Sequence, residues 1–120
     1  MNYFTIPGLK VCKNISDIPK QEEELKEKLL AFCSVTPKYN FLKSWYMITR
    51  KGRKRQKVAI RQMYCYVLKT IIDPTYPLKE IGEEFENQDH TTVIHSIKTI
   101  KNLLETEHPE TTRLFNYLNT

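Results

Sequence analysis

Asp89, His90, Thr91, Thr92, His95, Ser96 and Thr99 put a carboxylate, two imidazoles and four hydroxyls into one short stretch of chain. Groups of these kinds can ligate a metal, form a nucleophilic relay, or hydrogen-bond to something outside the protein. Spacing removes the first two. Paired histidine ligands on one helical face stand four apart, as in HExxH, whereas His90 and His95 stand five apart. An Asp-His-Ser relay needs three groups converging from separate parts of a fold, which neighbours on one helix cannot supply. No phosphate-cradling GxxxxGK[ST] occurs either. The expectation is therefore no enzyme, no catalytic residue, no metal, no cofactor and no small-molecule substrate. Asp89 reads as a helix N-cap, its carboxylate accepting from the Thr91 or Thr92 N–H. A cap leaves His90, Thr91 and Thr92 unexplained. Their donors, acceptors and methyl groups match what base edges present in a DNA major groove.

Those residues need a helix beneath them, and the spacing supplies one. Val93, Ile97, Ile100 and Leu104 repeat at helical intervals and predict a helix from Asp89 to about Thr106. His90, Thr91, Thr92, His95, Ser96 and Thr99 then share the opposite, outward face. Before it, LKEIGEEF (Leu78 to Phe85) predicts a short helix with Leu78, Ile81 and Phe85 inward. The break Glu86-Asn87-Gln88 joins the two as a helix-turn-helix.

Upstream, a helix over roughly Arg55 to Ile72 has Ile60, Met63, Tyr64, Val67, Leu68 and Ile71 on one stripe, with Arg61 and Gln62 off it. Asp73-Pro74 ends it, since the residue before proline avoids helical geometry. From Lys20, QEEELKEKLLAFC predicts a helix with Leu25, Leu29, Phe32 and Cys33 inward and Glu22, Glu23 and Glu24 in its first turn, where the helix dipole favours acids. Pro109 opens a last helix carrying Leu114, Phe115 and Leu118. Residues 1–19, with Pro7, Gly8 and Pro19, read as an irregular N-terminal arm, and residues 20–120 as one all-α domain. The three cysteines form no CxxC pair, and no window reaches the length of a membrane span, so a reduced cytoplasmic protein is expected.

Charge is distributed unevenly. Lys28 to Ile72 contains eleven Lys or Arg and no acid, while residues 73–120 hold nine acids against four bases. A one-sign block of this length predicts a polyanionic partner. Its densest part is RKGRKRQK, Arg50 to Lys57, which also fits a solvated loop or a nuclear localisation signal. Tyr39, Phe41, Trp45 and Tyr46 lie beside it. Such aromatics either cover a core or stack on unpaired bases.

IRQMYCYVLK (Ile60 to Lys69), LKEIGEEF and above all DHTTVIHS (Asp89 to Ser96) make the chain resemble the C-terminal DNA-binding domain of the bacterial replication initiator DnaA. The resemblance spans roughly Lys20 to Leu118 and is sharp from Arg53 onward. It implies an all-α domain with a Trp-repressor-like helix-turn-helix that binds a short duplex element, the DnaA box. Carried over by position, it implies Arg61 in the minor groove and Asp89, His90 and Thr91 on bases in the major groove. It assigns Arg53, Lys54, Arg55 and Lys57, with Gln88, Thr92 and His95, to the phosphate backbone. The chain departs from the family in three places. Glu86-Asn87-Gln88 stands where Gly-Gly-Arg is usual. The loop of residues 73–77 is about two residues longer, and Tyr39 to Thr49 is expanded.

The expectation is a stand-alone, sequence-specific binder of double-stranded DNA, without the ATPase module. It would lie in the cytoplasm on the bacterial nucleoid, with a replication or mobile-element protein as a further partner and no membrane. Two alternatives follow other features. A DnaA-like protein-interaction module would explain Glu80, Glu83, Glu84 and Glu86, a row of acids on the helix expected to run beside phosphates. Non-specific coating of nucleic acid would need only the basic loop and Trp45.

Overall fold

In the computed structural model, which describes residues 18–119, six helices pack around one core and no strand is present among the described residues. The arm expected over residues 1–19 lies outside the described residues as far as residue 17, and Cys12 with it.

Helix α1 spans Ile18–Val35 and buries Leu25, Leu29, Phe32 and Cys33, the face expected from their spacing. It begins two residues earlier than Lys20. Pro19 is compatible with that start because first-turn N–H groups have no intrahelical acceptor. Glu22, Glu23 and Glu24 consequently lie past the first turn, which carries no acid. After a single 3₁₀ turn at Pro37–Tyr39, the five-residue α2, Trp45–Thr49, is capped by Ser44 Oγ accepting from the Met47 N–H at 3.3 Å. The aromatics here cover the core. Tyr39 is buried with its ring edge-on to Phe32, and Trp45 packs on Tyr64 and Phe85 with centroids 4.8 and 6.0 Å away. Tyr46 is the exception, 65% exposed.

The expected stripe of α3, Arg55–Val67, is buried, but so are Cys65, Tyr66 and Arg61. This helix is central, in contact with α1, α2, α5 (His90–Glu105) and the 3₁₀ turn, so little of its surface is left to solvent. It runs on through Leu68–Ile72 as a wider π turn, in which the Asp73 N–H donates to the Leu68 carbonyl five residues back at 2.8 Å. Asp73 ends it in extended geometry, its Oδ1 accepting from the Thr75 N–H and hydroxyl at 3.0 and 2.7 Å.

Helix α4 is Leu78–Glu84 and α6 is Pro109–Leu118. Pro109 at its start and the His108 ring, accepting from the Thr111 N–H at 3.3 Å, begin α6. Its Leu114, Phe115 and Leu118 are buried as expected, and Lys28 Nζ donates to the Leu118 carbonyl at 3.2 Å, tying the end of α6 to α1.

Candidate nucleic-acid interface

The candidate interface is built on the turn between α4 and α5. Gly82 is buried, and its carbonyl accepts from the N–H groups of Phe85 and Gln88 at 3.1 and 2.9 Å. A β-carbon there would collide with the Gln88 carbonyl, so glycine lets the turn fold back onto α4. Glu86 and Asn87 carry the reversal with φ of 56° and 58°. Asparagine tolerates this left-handed region better than most residues, whereas Glu86 adopts it against its steric preference.

Helix α5 opens as the sequence predicts. Asp89 Oδ1 accepts from the Thr91 N–H at 3.4 Å and lies 2.9 Å from His90 Nδ1, an ion pair whenever that imidazole is protonated. His90, Thr91, Thr92 and His95 are exposed, and Asp89 with them. Ser96 corrects the face reading: it is 7% exposed and its hydroxyl donates back to the Thr92 carbonyl at 3.0 Å. A serine can satisfy its hydroxyl by sharing the carbonyl four residues back in its own helix and so go inward. Thr99, half-buried, has its hydroxyl 3.5 Å from His95 Nε2. An open groove beside this turn has Glu83, Asn87, Gln88, Asp89 and His90 among its lining residues.

The basic loop lies against the same turn. Glu86 Oε2 accepts from the Lys51 N–H at 2.8 Å, and its Oε1 is 3.0 Å from the Arg50 guanidinium. On the other side, Arg61 donates to the carbonyls of Gly52 and Arg50 at 2.7 and 3.5 Å, and Lys57 Nζ to that of Lys51 at 3.3 Å. Arg61 therefore does not stand clear of the packed surface, as the helical spacing implied. It is 8% exposed and holds the loop by its backbone. Burial lowers its pKa from the ordinary arginine value, and burial followed by the Arg61 charge lowers that of Lys57. Arg53, Lys54 and Arg55 are exposed. Lys54 Nζ sits 4.7 Å over the Phe41 ring, and Arg55 is 3.7 Å from Glu110.

Two of the four acids on α4 and its turn are engaged. Glu84 accepts from the Trp45 indole N–H at 2.8 Å and pairs with Lys26 at 2.8 Å, while Glu86 is held by the loop. Glu80 and Glu83 are exposed. The structure thus brings Gln88, Asp89, His90, Thr91, Thr92 and His95 together at one end of α5. Glu86 ties Arg50 and Lys51 to the turn before that end, while Arg53 and Lys54 continue the loop and Arg55 and Lys57 sit in the first turn of α3.

Sequence reasoning missed three residues that assemble this arrangement: Gly82, Arg50 and Glu86. Gly82 sits mid-helix, where a glycine costs helix stability, and that local disadvantage was the available signal. Nothing local marks Glu86 as the partner of Arg50 and Lys51, more than 30 positions earlier.

Among the described residues, no group of three or more His, Cys, Asp and Glu side chains is placed to hold a metal ion, and no helix is long and apolar enough to cross a membrane.

The family model described as the bacterial DnaA protein helix-turn-helix matches residues 41–100. The chain is similar to the chromosomal replication initiator protein DnaA of Enterococcus faecalis, 39% identical over 75 residues, which are 58% of this chain and 16% of that protein. With the initiator of Bacteroides thetaiotaomicron it is 40% identical over 60 residues, 50% of this chain and 12% of the other. With that of Thermus thermophilus it is 35% identical over 60 residues, 50% of this chain and 13% of the other. The match thus spans less than a fifth of each of these relatives. No solved structure matches.

Proposed function

Because the chain belongs to the bacterial DnaA helix-turn-helix family, we propose that it binds double-stranded DNA in a sequence-specific manner, with α5 as the recognition helix. One observation carries the proposal. The first turn of α5 exposes Asp89, His90, Thr91 and Thr92, and an acid-free cationic loop is fastened beside it.

In this reading Asp89, His90 and Thr91 meet base edges in the major groove. Each good contact contributes about 1–3 kcal/mol of discrimination. Arg53, Lys54, Arg55 and Lys57 engage phosphates on one side, with Gln88, Thr92 and His95 on the other. Arg61 reaches a minor groove with the guanidinium N–H groups that its bonds to the Arg50 and Gly52 carbonyls leave over, so the loop stays tethered. The target is a DnaA-box-like element, read on the nucleoid in the cytoplasm, with a replication or mobile-element protein as a further partner. Whatever the relatives do as whole initiators, the matched residues are those of the helix-turn-helix.

The engagement of Glu84 and Glu86 supports this reading over a pure protein-interaction module. The acid row that motivated the alternative is half absorbed into internal contacts. Selection from a random duplex pool at two salt concentrations tests the proposal. A defined site should emerge, with affinity falling by about 0.9 log unit per log unit of salt for each phosphate neutralised. Recovery of no preferred site would contradict it. So would capture of a protein partner that survives nuclease treatment and His90→Ala in the absence of any duplex binding.

A further inference from the structure

Arg50 and Lys51 aim two donors at one carboxylate. The Lys51 N–H donates to Glu86 Oε2 at 2.8 Å and the Arg50 guanidinium lies 3.0 Å from Oε1. A backbone N–H beside a guanidinium is a donor pair that suits the oxygens of a phosphodiester. Here the acceptor comes from the helix-turn-helix turn itself. Glu86 has a side chain only 22% exposed, on a backbone with φ of 56° that disfavours a glutamate.

The surroundings keep both donors in place without Glu86. The carbonyls of Arg50, Lys51 and Gly52 are held from the opposite side by Arg61 and Lys57, which fixes the course of the loop backbone. The Arg50 guanidinium also rests 4.5 Å from the centre of the exposed Tyr46 ring, so it stays at the surface beside the turn.

We propose that Arg50 and the Lys51 N–H form a binding position for a phosphodiester of duplex DNA, and that the Glu86 carboxylate occupies it in the unbound chain. Glu86 then acts as an internal competitor that holds one cation out of sequence-independent binding. The inference rests on the reading of this face as a duplex-binding surface. Glutamine at position 86 keeps an acceptor for the Lys51 N–H but gives up the ion pair with Arg50. A phosphate would then meet an uncontested guanidinium.

A double-mutant cycle on a scrambled duplex tests it. Glu86→Gln should tighten binding about three- to ten-fold near 0.1 M salt and steepen the log–log salt slope by about 0.9, one further phosphate. Adding Arg50→Gln should cancel both gains. Glu83→Gln, which removes an exposed acid from the adjoining helix α4, should change affinity less than twofold and leave the slope alone. Glu86→Gly, which suits the positive φ, should repeat the Glu86→Gln result should that variant fold poorly. Unchanged or weaker binding by the Glu86 variants would overturn the inference. So would a gain that survives Arg50→Gln, or an equal gain from Glu83→Gln. Failure of the wild-type chain and every variant to bind any duplex would instead overturn the functional reading on which it rests.

Discussion

The Gln88 N–H donates to the Gly82 carbonyl at 2.9 Å, and the Gln88 carbonyl lies over the α-carbon of Gly82, where a side chain would begin. This contact closes the turn that sets α5 against α4. Gly82→Ala would force a methyl group into backbone rather than into a flexible side chain. Overpacking of that kind costs about 1–3 kcal/mol, and relief requires the turn to open. Chemical denaturation should show a loss in that range, together with reduced preference for a matched duplex. A variant as stable as wild type would contradict the tight turn.

Asp89 has two roles that substitution can separate. Asp89→Ala removes the cap on α5 and should cost about 1 kcal/mol, read as a lowered denaturation midpoint. Asp89→Asn keeps a capping oxygen for the Thr91 N–H and should cost a few tenths at most. Both should lower affinity for a matched duplex, since neither retains the carboxylate beside His90. Retention of full specificity in Asp89→Asn would reduce the residue to a cap.

Glu84 makes the stability of the α2–α4 contact depend on pH. Burial pushes its carboxyl up. The hydrogen bonds from Lys26 and Trp45 and the Lys26 charge outweigh burial and hold it below the ordinary glutamate value. A carboxylate lowered on folding contributes stability that is present above its unfolded pKa, about 4.3, and is lost as pH falls through the folded value. Urea unfolding followed by the fluorescence of Trp45, the chain's single tryptophan, should therefore show a steeper loss of stability below about pH 4.5 for wild type than for Glu84→Gln. Parallel curves would remove Glu84 from the acid response.

Helix identities were legible where one face repeats. Leu25, Leu29, Phe32 and Cys33 on α1, and Val93, Ile100 and Leu104 on α5, are buried as their spacing required. The errors arose where the environment is set by distant chain. Arg61 looks exposed on a helical projection, yet the basic loop folds over it and supplies carbonyl acceptors. Ser96 looks polar and outward, yet it bonds its own helix and goes inside. The cap at Asp89 was readable because capping is a local interaction. The link between the turn and the loop was not, because it depends on a carboxylate at Glu86 meeting an amide at Lys51.

Parallel titrations of a DnaA-box duplex and a scrambled duplex, with wild type and His90→Ala at one fixed salt concentration, test most directly whether the start of α5 reads sequence. Wild type should prefer the box by at least about fivefold, the low end expected for one good base contact of about 1 kcal/mol. His90→Ala should lose most of that margin while binding the scrambled duplex unchanged. Equal wild-type affinities for the two duplexes, or a preference that survives His90→Ala intact, would contradict α5 as the recognition helix.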